Sequence, residues 1–409
     1  MQKWKSLFVY PVFFLAPLLQ ANPLLECYPE WQNQARSLGM SAEIIDTLIP
    51  SLEHLPRVLE LDRRQPEFTE SFSNYFNTRV SDLRIERGRE LIKEHGSLLN
   101  RLTHEYGVPG QYLIAFWGLE TNYGSYKGTM STLNSLATLA CDPRRKDFFT
   151  TQLFDAFYLL QDHKLEPASM VGSWAGAVGH TQFMPGNYRR YAVDGDGDGK
   201  IDLWNSIPDA LTSGANFLKN LGWQSGERWG REVRLPENFP YLELVEKRKR
   251  SLKDWRQLGV MTAQGNKLPV ADMQATLILP AGHTGPAFLA YDNFNVIMGW
   301  NRSEFYALSV GHLADRINGA GRLANEPPEQ PRLTIAQVQA LQEKLKELGF
   351  MDGQADGILG PATRQSIRAY QQKQGIIPDG FPDPELFKML NVPLNEPAES
   401  VKISSSPSP

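Results

Sequence analysis

The sequence lacks a strong net charge of either sign. Its 409 residues contain 42 Lys and Arg against 46 Asp and Glu, which gives a net charge of −4. No long basic run is present, so the clustered positive charge that binds phosphate backbones is missing and we predict no nucleic-acid partner. The 41% hydrophobic content and nine Trp instead indicate a globular protein, long enough for two or three domains.

The apolar run near the N-terminus is too short to span a membrane. It extends from Leu7 to Leu19, is interrupted by Pro11 and Pro17, and falls short of the about 20 residues that a spanning helix needs. Two lysines precede it and the small residue Ala21 follows it, as in a cleaved secretory signal. We therefore predict a signal peptide over residues 1–21 and export from the cytosol, with a membrane anchor as the alternative.

Only two cysteines are present, Cys27 and Cys141. An exported chain enters an oxidising compartment, where such a pair can form a disulfide, whereas in the cytosol both would remain buried thiols. A lipid anchor at Cys27 is disfavoured because the preceding LLE places a bulky acid where a small residue is expected. The sequence leaves a disulfide and two free thiols open as equal alternatives.

Hydrophobic spacing divides the chain into regions. Residues 30–225 read as mainly helical, including a helix up to Gly107 in which Leu83 and later leucines recur at helical spacing. Residues 231–292 contain short β-prone runs between Pro, Gly and Asn, and residues 304–316 return to helix. The prolines of NEPPEQPR cannot continue a helix. The predicted units are a domain over 22–324, a linker over 325–332, a second domain over 333–391 and a disordered tail over 392–409.

One carboxyl stands in an apolar helix. Pro109 suits the first turn of a helix, and QYLIAFWGLETNY, residues 111–123, can run to a stop at Gly124. Glu120 then lies in the last turn, where apolar neighbours and the negative end of the helix dipole both favour the protonated carboxyl. That form is what a general acid requires. The alternative is an ion pair with an arginine or a cap of a neighbouring loop.

Two later segments contain the mixture of groups that binds sugars. GSWAGAVGHTQFMPGNY, residues 172–188, combines glycines that allow close approach with hydroxyl, amide and aromatic side chains. MGWNRSEFYALSV, residues 298–310, adds Trp300, Asn301 and Tyr306. Sugars present hydroxyl edges and an apolar ring face, which these groups match. Tight helix junctions and ordinary core packing are the alternative interpretations of the two segments.

Four motifs in one order resemble a known family. FWGLETNYG, LATLACDPRRKDFF, GSWAGAVGHTQFMPGNY and DGDGDGKIDLW are similar to those of the lytic murein transglycosylases of the B type, and the resemblance covers about residues 30–320. It implies a mainly α (α+β) fold, in which a lysozyme-like catalytic domain has a small β-containing insertion. It places the catalytic acid at Glu120. The implied substrate contacts are Tyr75, Ser173, Gln182, Phe183, Asn301 and Tyr306.

The chain departs from the family pattern at three places around this implied site. His180 stands where a smaller or amide residue is common, Trp300 where a tyrosine can precede the asparagine, and Phe217 where a tyrosine can stand. The resemblance therefore extends fully to Glu120 but only in part to the sugar contacts at these three positions.

The resemblance also implies a reaction. Most glycosidases use two carboxyl groups, but FWGLETNYG contains only Glu120. The family cleaves the bond between N-acetylmuramic acid and N-acetylglucosamine in peptidoglycan and closes a 1,6-anhydro ring, with one glutamate as acid and base and no organic cofactor. It implies a periplasmic enzyme, with cell-wall synthesis or hydrolysis proteins as possible partners. The alternatives are a goose-type lysozyme, which hydrolyses the same bond, and a non-catalytic wall-binding scaffold.

An acidic loop follows the glycine-rich segment. DGDGDGKIDLWN, residues 194–205, has acids at alternate positions and then Gly199 for a sharp turn, as an EF-hand loop begins. Asn205 occupies the twelfth position, where a bidentate Glu is usual, and the resemblance implies that an acid four residues later closes a longer loop. We predict a structural Ca²⁺ site, with a metal-free turn as the alternative. The predicted ligands are the carboxylates of Asp194, Asp196, Asp198 and Asp209 and the carbonyl oxygen of Lys200.

The C-terminal unit resembles a second family. The motif DGILGPAT, paired with a helix that ends in AYQQKQGIIPDG, is similar to that of the three-helix peptidoglycan-binding domains, over about residues 333–391. The resemblance implies that this domain binds glycan or stem peptide and raises the local substrate concentration for the catalytic domain. It contains no Cys or His for a typical zinc site. A helical module that binds another protein is the alternative.

Overall fold

The computed structural model describes residues 22–63, 70–244 and 249–394. The predicted signal peptide and residues 395–409 of the predicted tail lie outside this part of the chain. Within it, no helix has both the length and the apolar character that crossing a bilayer requires.

Helices dominate the described residues. The α-helices are α1 Tyr28–Ser37, α2 Ile49–Ser51, α3 Pro56–Arg63, α4 Phe72–Arg79, α5 Asp82–Glu94, α6 Gly96–Tyr106, α7 Gly110–Thr121, α8 Thr132–Cys141, α9 Lys146–His163, α10 Pro185–Tyr191, α11 Ile207–Asn220, α12 Leu252–Gln257, α13 Asp292–Trp300, α14 Glu304–Ile317, α15 Ile335–Glu347, α16 Pro361–Lys373 and α17 Pro384–Met389. A π-helical turn at Glu43–Leu48 precedes α2.

The strands form two small antiparallel sheets. β1 and β2 pair with each other, and the five-stranded sheet has the order β4, β6, β7, β3, β5. The larger sheet lies in the region where the sequence predicts β-prone runs, so a mainly helical fold with a small β insertion is confirmed. The strands are β1 Met130–Ser131, β2 Val171–Gly172, β3 Gly230–Arg234, β4 Arg250–Ser251, β5 Met261–Thr262, β6 Gln274–Ile278 and β7 Ala287–Ala290.

Two helical cores adjoin in the larger domain. The first is built mainly by α4–α7, α13 and α14, and the second by α1, α3 and α8–α10. Trp300, at the end of α13, packs against both cores. A third core lies against the five-stranded sheet, and a fourth belongs to α15–α17. The junction of the first two cores is therefore where α7 and α13 can bring side chains together.

The helix α7 is buried on nearly all sides and ends earlier than predicted. Its apolar residues pack against α5 and α14. The predicted stop was Gly124, but the helix ends at Thr121 because Asn122 and Tyr123 both adopt left-handed backbone angles, with φ of 48° and 61°. Such angles cannot continue a right-handed helix. Glu120 is therefore fixed in the last turn.

The helical region before α7 is divided where the sequence pattern runs on. α5 ends at Glu94 and α6 begins at Gly96, because His95 between them has φ −102° and ψ 19°. The helical spacing of the leucines extends through this break, but Leu83 is 79% exposed. It is therefore not part of the buried face. Periodicity alone did not reveal the change in helix direction.

A disulfide joins Cys27 to Cys141 at the end of α8, with their Cα atoms 6.1 Å apart. It connects the start of the described chain to the second core across 114 residues of sequence. Of the two alternatives that the sequence left open, the structure has the disulfide. Closing so long a segment restricts the unfolded chain considerably.

The linker is bound to the larger domain. The carboxylate of Glu232 on β3 accepts the backbone N–H groups of Ala324 and Asn325, both at 2.8 Å. Further along, the side-chain amide of Gln330 donates to the carbonyl oxygen of Ala281 at 3.0 Å. The segment is therefore held by hydrogen bonds at both ends, and it does not act as a free tether.

A partly buried ion pair between His283 and Asp379 joins the C-terminal domain to the larger domain. Asp379 accepts two hydrogen bonds from His283 at its Oδ2 atom, from the backbone N–H at 2.9 Å and from Nδ1 at 2.7 Å. The hydrogen bond to Asp379 raises the pKa of His283. Burial alone would raise the pKa of Asp379, but the hydrogen bonds from His283 and its other donors lower the pKa overall. Both groups are therefore stabilised in their charged forms.

His283→Gln should destabilise the protein more at pH 6 than at pH 9. Because the pKa of His283 is raised in the folded state, its contribution is complete below the unfolded value of about 6.5 and is lost as the pH rises through the folded value. Thermal unfolding at both pH values measures the difference. His104→Gln, at an exposed histidine of α6, is the control, and an equal loss at both pH values for His283→Gln would contradict the prediction.

Candidate active site

Glu120 receives two hydrogen bonds on one oxygen atom. The indole N–H of Trp300 donates to Glu120 Oε1 at 3.0 Å, and the hydroxyl of Tyr306 donates to the same atom in a short hydrogen bond. Trp300 ends α13 and Tyr306 lies in the first turn of α14. The Glu120 carboxyl at the end of α7 is therefore held by hydrogen bonds from α13 and α14.

The two donors are themselves fixed by burial and packing. Burial, and then the charge of Glu120, raises the pKa of the Tyr306 hydroxyl well above its usual range, so this hydroxyl remains a donor. The indole of Trp300 stacks on Phe116 with the ring centroids 4.4 Å apart. Phe183 and Phe217 pack against the same indole at 5.4 and 5.3 Å. The aromatic cluster therefore sets the direction of the Trp300 N–H.

The hydrogen-bond donors at Oε1 and the apolar surroundings of Glu120 favour opposite protonation states of its carboxyl. Charge-assisted hydrogen bonds stabilise a carboxylate, whereas apolar neighbours and the helix end favour the neutral acid. A group that must donate a proton and later accept one needs both forms to be accessible. The expectation that Glu120 rests in the protonated form stays a prediction.

The glycine-rich turn is attached to the end of α7 through His180. Its Nδ1 accepts the indole N–H of Trp117 at 3.0 Å, and its carbonyl oxygen accepts the Thr121 hydroxyl at 3.0 Å. Burial first, and then the charge of Lys127, lowers the pKa of His180 to about 4. The ring is therefore neutral with its proton on Nε2. A Cβ on Gly124 would lie 2.4 Å from this ring, which explains the last glycine of FWGLETNYG.

Gln182 and Ser173 lie on this attached turn. Gln182 has a positive φ of 48°, and its amide donates to the carbonyl oxygens of Gly179 and Lys127 at 2.9 and 3.2 Å. A contact between its side-chain carbonyl and the substrate stays a prediction. The Ser173 hydroxyl accepts the N–H of Ala177 at 3.1 Å and keeps its own proton as a donor. Gln182 and Ser173 are therefore both held in place by hydrogen bonds within the loop.

Three further residues that the resemblance implies as sugar contacts are buried or half-buried. Phe183 is 1% exposed, and its ring supports Trp300 from within the core. Tyr75 is 4% exposed and lies under the guanidinium of Arg79, 3.7 Å from its ring centroid. Asn301 is half-buried and accepts the N–H of Ser303 at 3.1 Å. A direct sugar contact by each of these three residues stays a prediction.

Three acids of the predicted calcium loop lie together. One carboxylate oxygen from each of Asp194, Asp196 and Asp209 lies within 4.8 Å of the others. Asp198 is not part of this group, and its Oδ1 accepts the N–H of Lys200 at 2.8 Å. The Lys200 carbonyl as a ligand stays a prediction.

Backbone donors already surround the acidic group. Asp209 accepts the N–H groups of Gly195 and Asp202, each at 2.7 Å, on its two oxygens. The hydrogen bond from the Gly199 N–H is the largest influence on Asp194 and lowers the pKa of that carboxyl. Each carboxylate oxygen can accept a second interaction, so hard oxygen ligands remain for a cation such as Ca²⁺.

Comparison with known families identifies the class of protein. The chain matches the model of the Transglycosylase SLT domain over residues 25–315, and that of a peptidoglycan binding domain over residues 334–390. The chain therefore belongs to the transglycosylase SLT domain family. It is a lytic transglycosylase that acts on peptidoglycan, and it has a C-terminal peptidoglycan-binding domain. Transglycosylases need no organic cofactor.

Similar proteins agree with this assignment. The membrane-bound lytic murein transglycosylase B of Escherichia coli K12 is 30% identical over 297 residues, which are 68% of this chain and 79% of the relative. SltB3 from Pseudomonas aeruginosa, solved with NAG-anhNAM-pentapeptide, is 41% identical with a TM-score of 0.85, over 90% of this chain and 99% of its own. Escherichia coli Slt35, solved with calcium, is 28% identical with a TM-score of 0.61, over 73% and 93%.

Sequence reasoning missed the roles of two residues. Trp300 was noted as a sugar-binding candidate and a departure from the family pattern, and His180 as a departure. Instead, Trp300 donates to Glu120 and His180 attaches the glycine-rich turn to α7. A tryptophan directly before an implied sugar-binding asparagine was the available signal for the first. Its contact with Glu120 joins residues 180 positions apart, which no local pattern reveals.

Trp300→Phe should move the alkaline limb of the pH–activity profile to higher pH. The variant keeps an aromatic ring but removes one of two donors that stabilise the carboxylate of Glu120, so the proton-donating form persists to higher pH. We expect a movement of about one pH unit, the equivalent of about 1.4 kcal/mol. The measurement is kcat/KM against pH on soluble glycan strands.

Phe217→Leu is the matched control for this change. Phe217 packs against the same indole but is not a hydrogen-bond donor. Its loss should lower activity without moving the alkaline limb. If Trp300→Phe lowers activity but leaves the alkaline limb of the pH–activity profile unchanged, the indole acts only through packing.

Proposed function

We propose that the enzyme cleaves the β-1,4 bond between N-acetylmuramic acid and N-acetylglucosamine and leaves a 1,6-anhydro end, with Glu120 as the single acid and base. The observation that carries this proposal is the double hydrogen bond from Trp300 and Tyr306 to Oε1 of Glu120. The relative SltB3 is described in complex with an anhydro-muramyl peptide, which supports the same product here.

In the first step Glu120 acts as a general acid. The proton of the protonated carboxyl passes to the glycosidic oxygen as the bond to the anomeric carbon breaks. The carbonyl oxygen of the muramyl N-acetyl group stabilises the positive charge that develops on that carbon. The two donors at Oε1 meanwhile stabilise the carboxylate that forms.

In the second step the same carboxylate acts as a general base. It removes the proton from the 6-hydroxyl of the muramyl residue, whose oxygen attacks the anomeric carbon and closes the ring. The glutamate regains its proton and no water is consumed. Glu120 is the one carboxyl of the motif FWGLETNYG, which supports a mechanism that uses one carboxyl rather than two.

Two alternatives make different predictions. A goose-type lysozyme would use water in the second step and release a product heavier by one water. A non-catalytic scaffold would bind the wall without cutting it. The half-buried carboxyl with two hydrogen-bond donors supports catalysis over the scaffold, since an acid withdrawn from water is retained at a cost in stability.

Glu120→Gln should abolish the release of anhydro-muropeptides while the protein remains folded. The amide has nearly the same shape but cannot donate or accept the transferred proton. Mass spectrometry of sacculus digests detects the product, and thermal unfolding checks the fold. Glu105→Gln removes an exposed carboxyl of α6 and should leave the products unchanged. Anhydro products at a near-normal rate from Glu120→Gln would refute the assignment.

We also propose that the acidic loop binds a structural Ca²⁺ ion. Asp194, Asp196 and Asp209 bring three negative charges together, and like charges this close destabilise the loop unless a cation is present. The relative Slt35 is described in complex with calcium, which supports this choice of metal. The ion would stabilise the turn into α11 and would take no part in the chemistry.

Calcium should raise the melting temperature of chelator-treated protein, and Asp196→Asn should reduce that rise. Asp196 belongs to the three-acid group, whereas Asp198 does not. Asp198→Asn is therefore a control of equal charge change on the same loop, and it should keep most of the rise. No rise at millimolar calcium in the parent would exclude the site. An equal reduction in both variants would make Asp198 a ligand as well.

We further propose that the chain is exported to the periplasm by a cleaved signal over residues 1–21. The Cys27–Cys141 disulfide supports export, because such bonds persist in oxidising compartments. The Escherichia coli relative is named membrane-bound, and association with the membrane is part of the prediction. Partners among cell-wall synthesis or hydrolysis proteins remain a prediction as well.

A further inference from the structure

The C-terminal domain contains one hydrogen-bonded motif near the end of α15. Gln342 donates from Nε2 to Oδ1 of Asp356 at 2.8 Å and to the carbonyl oxygen of Ile358 at 3.1 Å. Its Oε1 accepts the N–H of Gly357 at 2.8 Å. The N–H of Ile358 returns to Oδ1 of Asp356 at 2.9 Å. We call these four residues the outer site.

The same motif recurs around the end of α16. Gln371 donates to Oδ1 of Asp379 at 2.9 Å and to the carbonyl oxygen of Phe381 at 3.3 Å, and it accepts the N–H of Gly380 at 2.8 Å. The N–H of Phe381 returns to Oδ1 of Asp379 at 2.8 Å. We call these four residues the inner site. All four hydrogen bonds have counterparts in the outer site, so the domain is built from two equivalent units.

A short sequence repeat underlies the two sites. It is hard to recognise because the glutamine and the repeated motif are separated by a different number of residues in each site. DGILGP begins at Asp356 and DGFPDP begins at Asp379, and both lead to a proline in the first turn of the next helix. The glutamines precede these motifs by different distances, because they occupy different positions in their helices and the connecting loops differ in length. The equivalence therefore emerges from the hydrogen bonds rather than from a fixed period.

The inner site already holds a short peptide segment from the larger domain. Oδ2 of Asp379 accepts the backbone N–H and Nδ1 of His283. The preceding Gly282 lies so close that a Cβ on it would be 2.9 Å from Oδ2 and 2.9 Å from Cβ of Phe381. The site thus binds an amide N–H together with a cationic nitrogen, and an apolar side chain lies beside them.

The outer site presents the same groups to solvent. Asp356 is exposed, and in the described part of the chain no hydrogen bond reaches its Oδ2. Ile358 takes the place of Phe381 and is 42% exposed. Ile335, 48% exposed, contacts the position of a Cβ on Gly357 at 2.4 Å. A carboxylate oxygen and two aliphatic side chains are therefore free to bind a ligand.

We propose that the outer site binds a peptide that presents an amide N–H beside a cationic amine on an aliphatic chain, as a diamino acid of a stem peptide does. The inner site shows what this motif recognises, and the outer site repeats it with aliphatic instead of aromatic contacts. Sugar rings favour aromatic faces, which the outer site lacks. The inference rests on the action of the enzyme on peptidoglycan, and it assigns the contact of the C-terminal domain to peptide rather than glycan.

Calorimetric titration of the full chain tests this assignment without turnover. The protein is the Glu120→Gln variant, and the probes are a stem tetrapeptide with a free diamino-acid amine and the same peptide acetylated on that amine. We expect acetylation to weaken binding about tenfold, since a charge-assisted hydrogen bond is lost. Asp356→Asn, added to Glu120→Gln, should weaken binding of the free-amine peptide to the same extent and abolish the difference between the two peptides.

Asp352→Asn is the matched control. Asp352 is an exposed acid on the same loop, four residues earlier, and its substitution changes the charge equally. It should change the affinity less than twofold. Thermal unfolding checks that Asp356→Asn keeps the domain folded, and the acetylation comparison on the parent does not depend on any variant of the domain.

Three results would overturn the proposal. They are equal binding of the two peptides, equal effects of Asp356→Asn and Asp352→Asn, and no detectable binding of the free-amine peptide. If peptide-free glycan strands bind and Asp356→Asn weakens them, the site recognises sugar instead. Each result leaves the anhydro-product assay unaffected, so failure of this inference is distinguishable from failure of the proposed reaction.

Discussion

The hydrogen bonds that converge on Oε1 of Glu120 are the constraint on which the rest of the site depends. Trp300 and Tyr306 come from the end of α13 and the start of α14, while Glu120 comes from the end of α7. All three elements belong to the first core, and Trp300 also packs against the second. A displacement of the second core would therefore reach the carboxyl through the Trp300 indole. The packing of the core therefore sets the orientation of the Glu120 carboxyl.

The neighbouring loop is arranged around the same helix end. His180 is neutral because it is buried, and its Nδ1 accepts from Trp117, one helical turn before Glu120. Thr121, the residue after Glu120, holds the carbonyl oxygen of His180. The glycine-rich turn and the carboxyl therefore share one rigid support. Ser173 and Gln182 are held on the same turn by hydrogen bonds within the loop, so the predicted sugar contacts would need little reorganisation.

Local patterns predicted the elements but not their long-range contacts. The apolar helix with Glu120 in its last turn, the small sheet over residues 231–292 and the alternating acids of the loop follow from residue type and spacing. The break at His95 was missed because a single bridge-region residue leaves the hydrophobic period intact. The contacts of Trp300 with Glu120 and of His283 with Asp379 join distant segments. Such pairings depend on tertiary packing, which one sequence without relatives does not reveal.

The disulfide between Cys27 and Cys141 makes the stability of the enzyme depend on whether its compartment is oxidising or reducing. A cross-link over 114 residues removes conformational freedom from the unfolded chain that is worth about 4 to 5 kcal/mol by loop-closure entropy. A domain of ordinary stability has a margin of only about 5 to 15 kcal/mol. A chain retained in a reducing cytosol lacks much of that margin and is exposed to proteases. On the proposed export, the bond stabilises the enzyme only after it has left the compartment where the wall precursors are made.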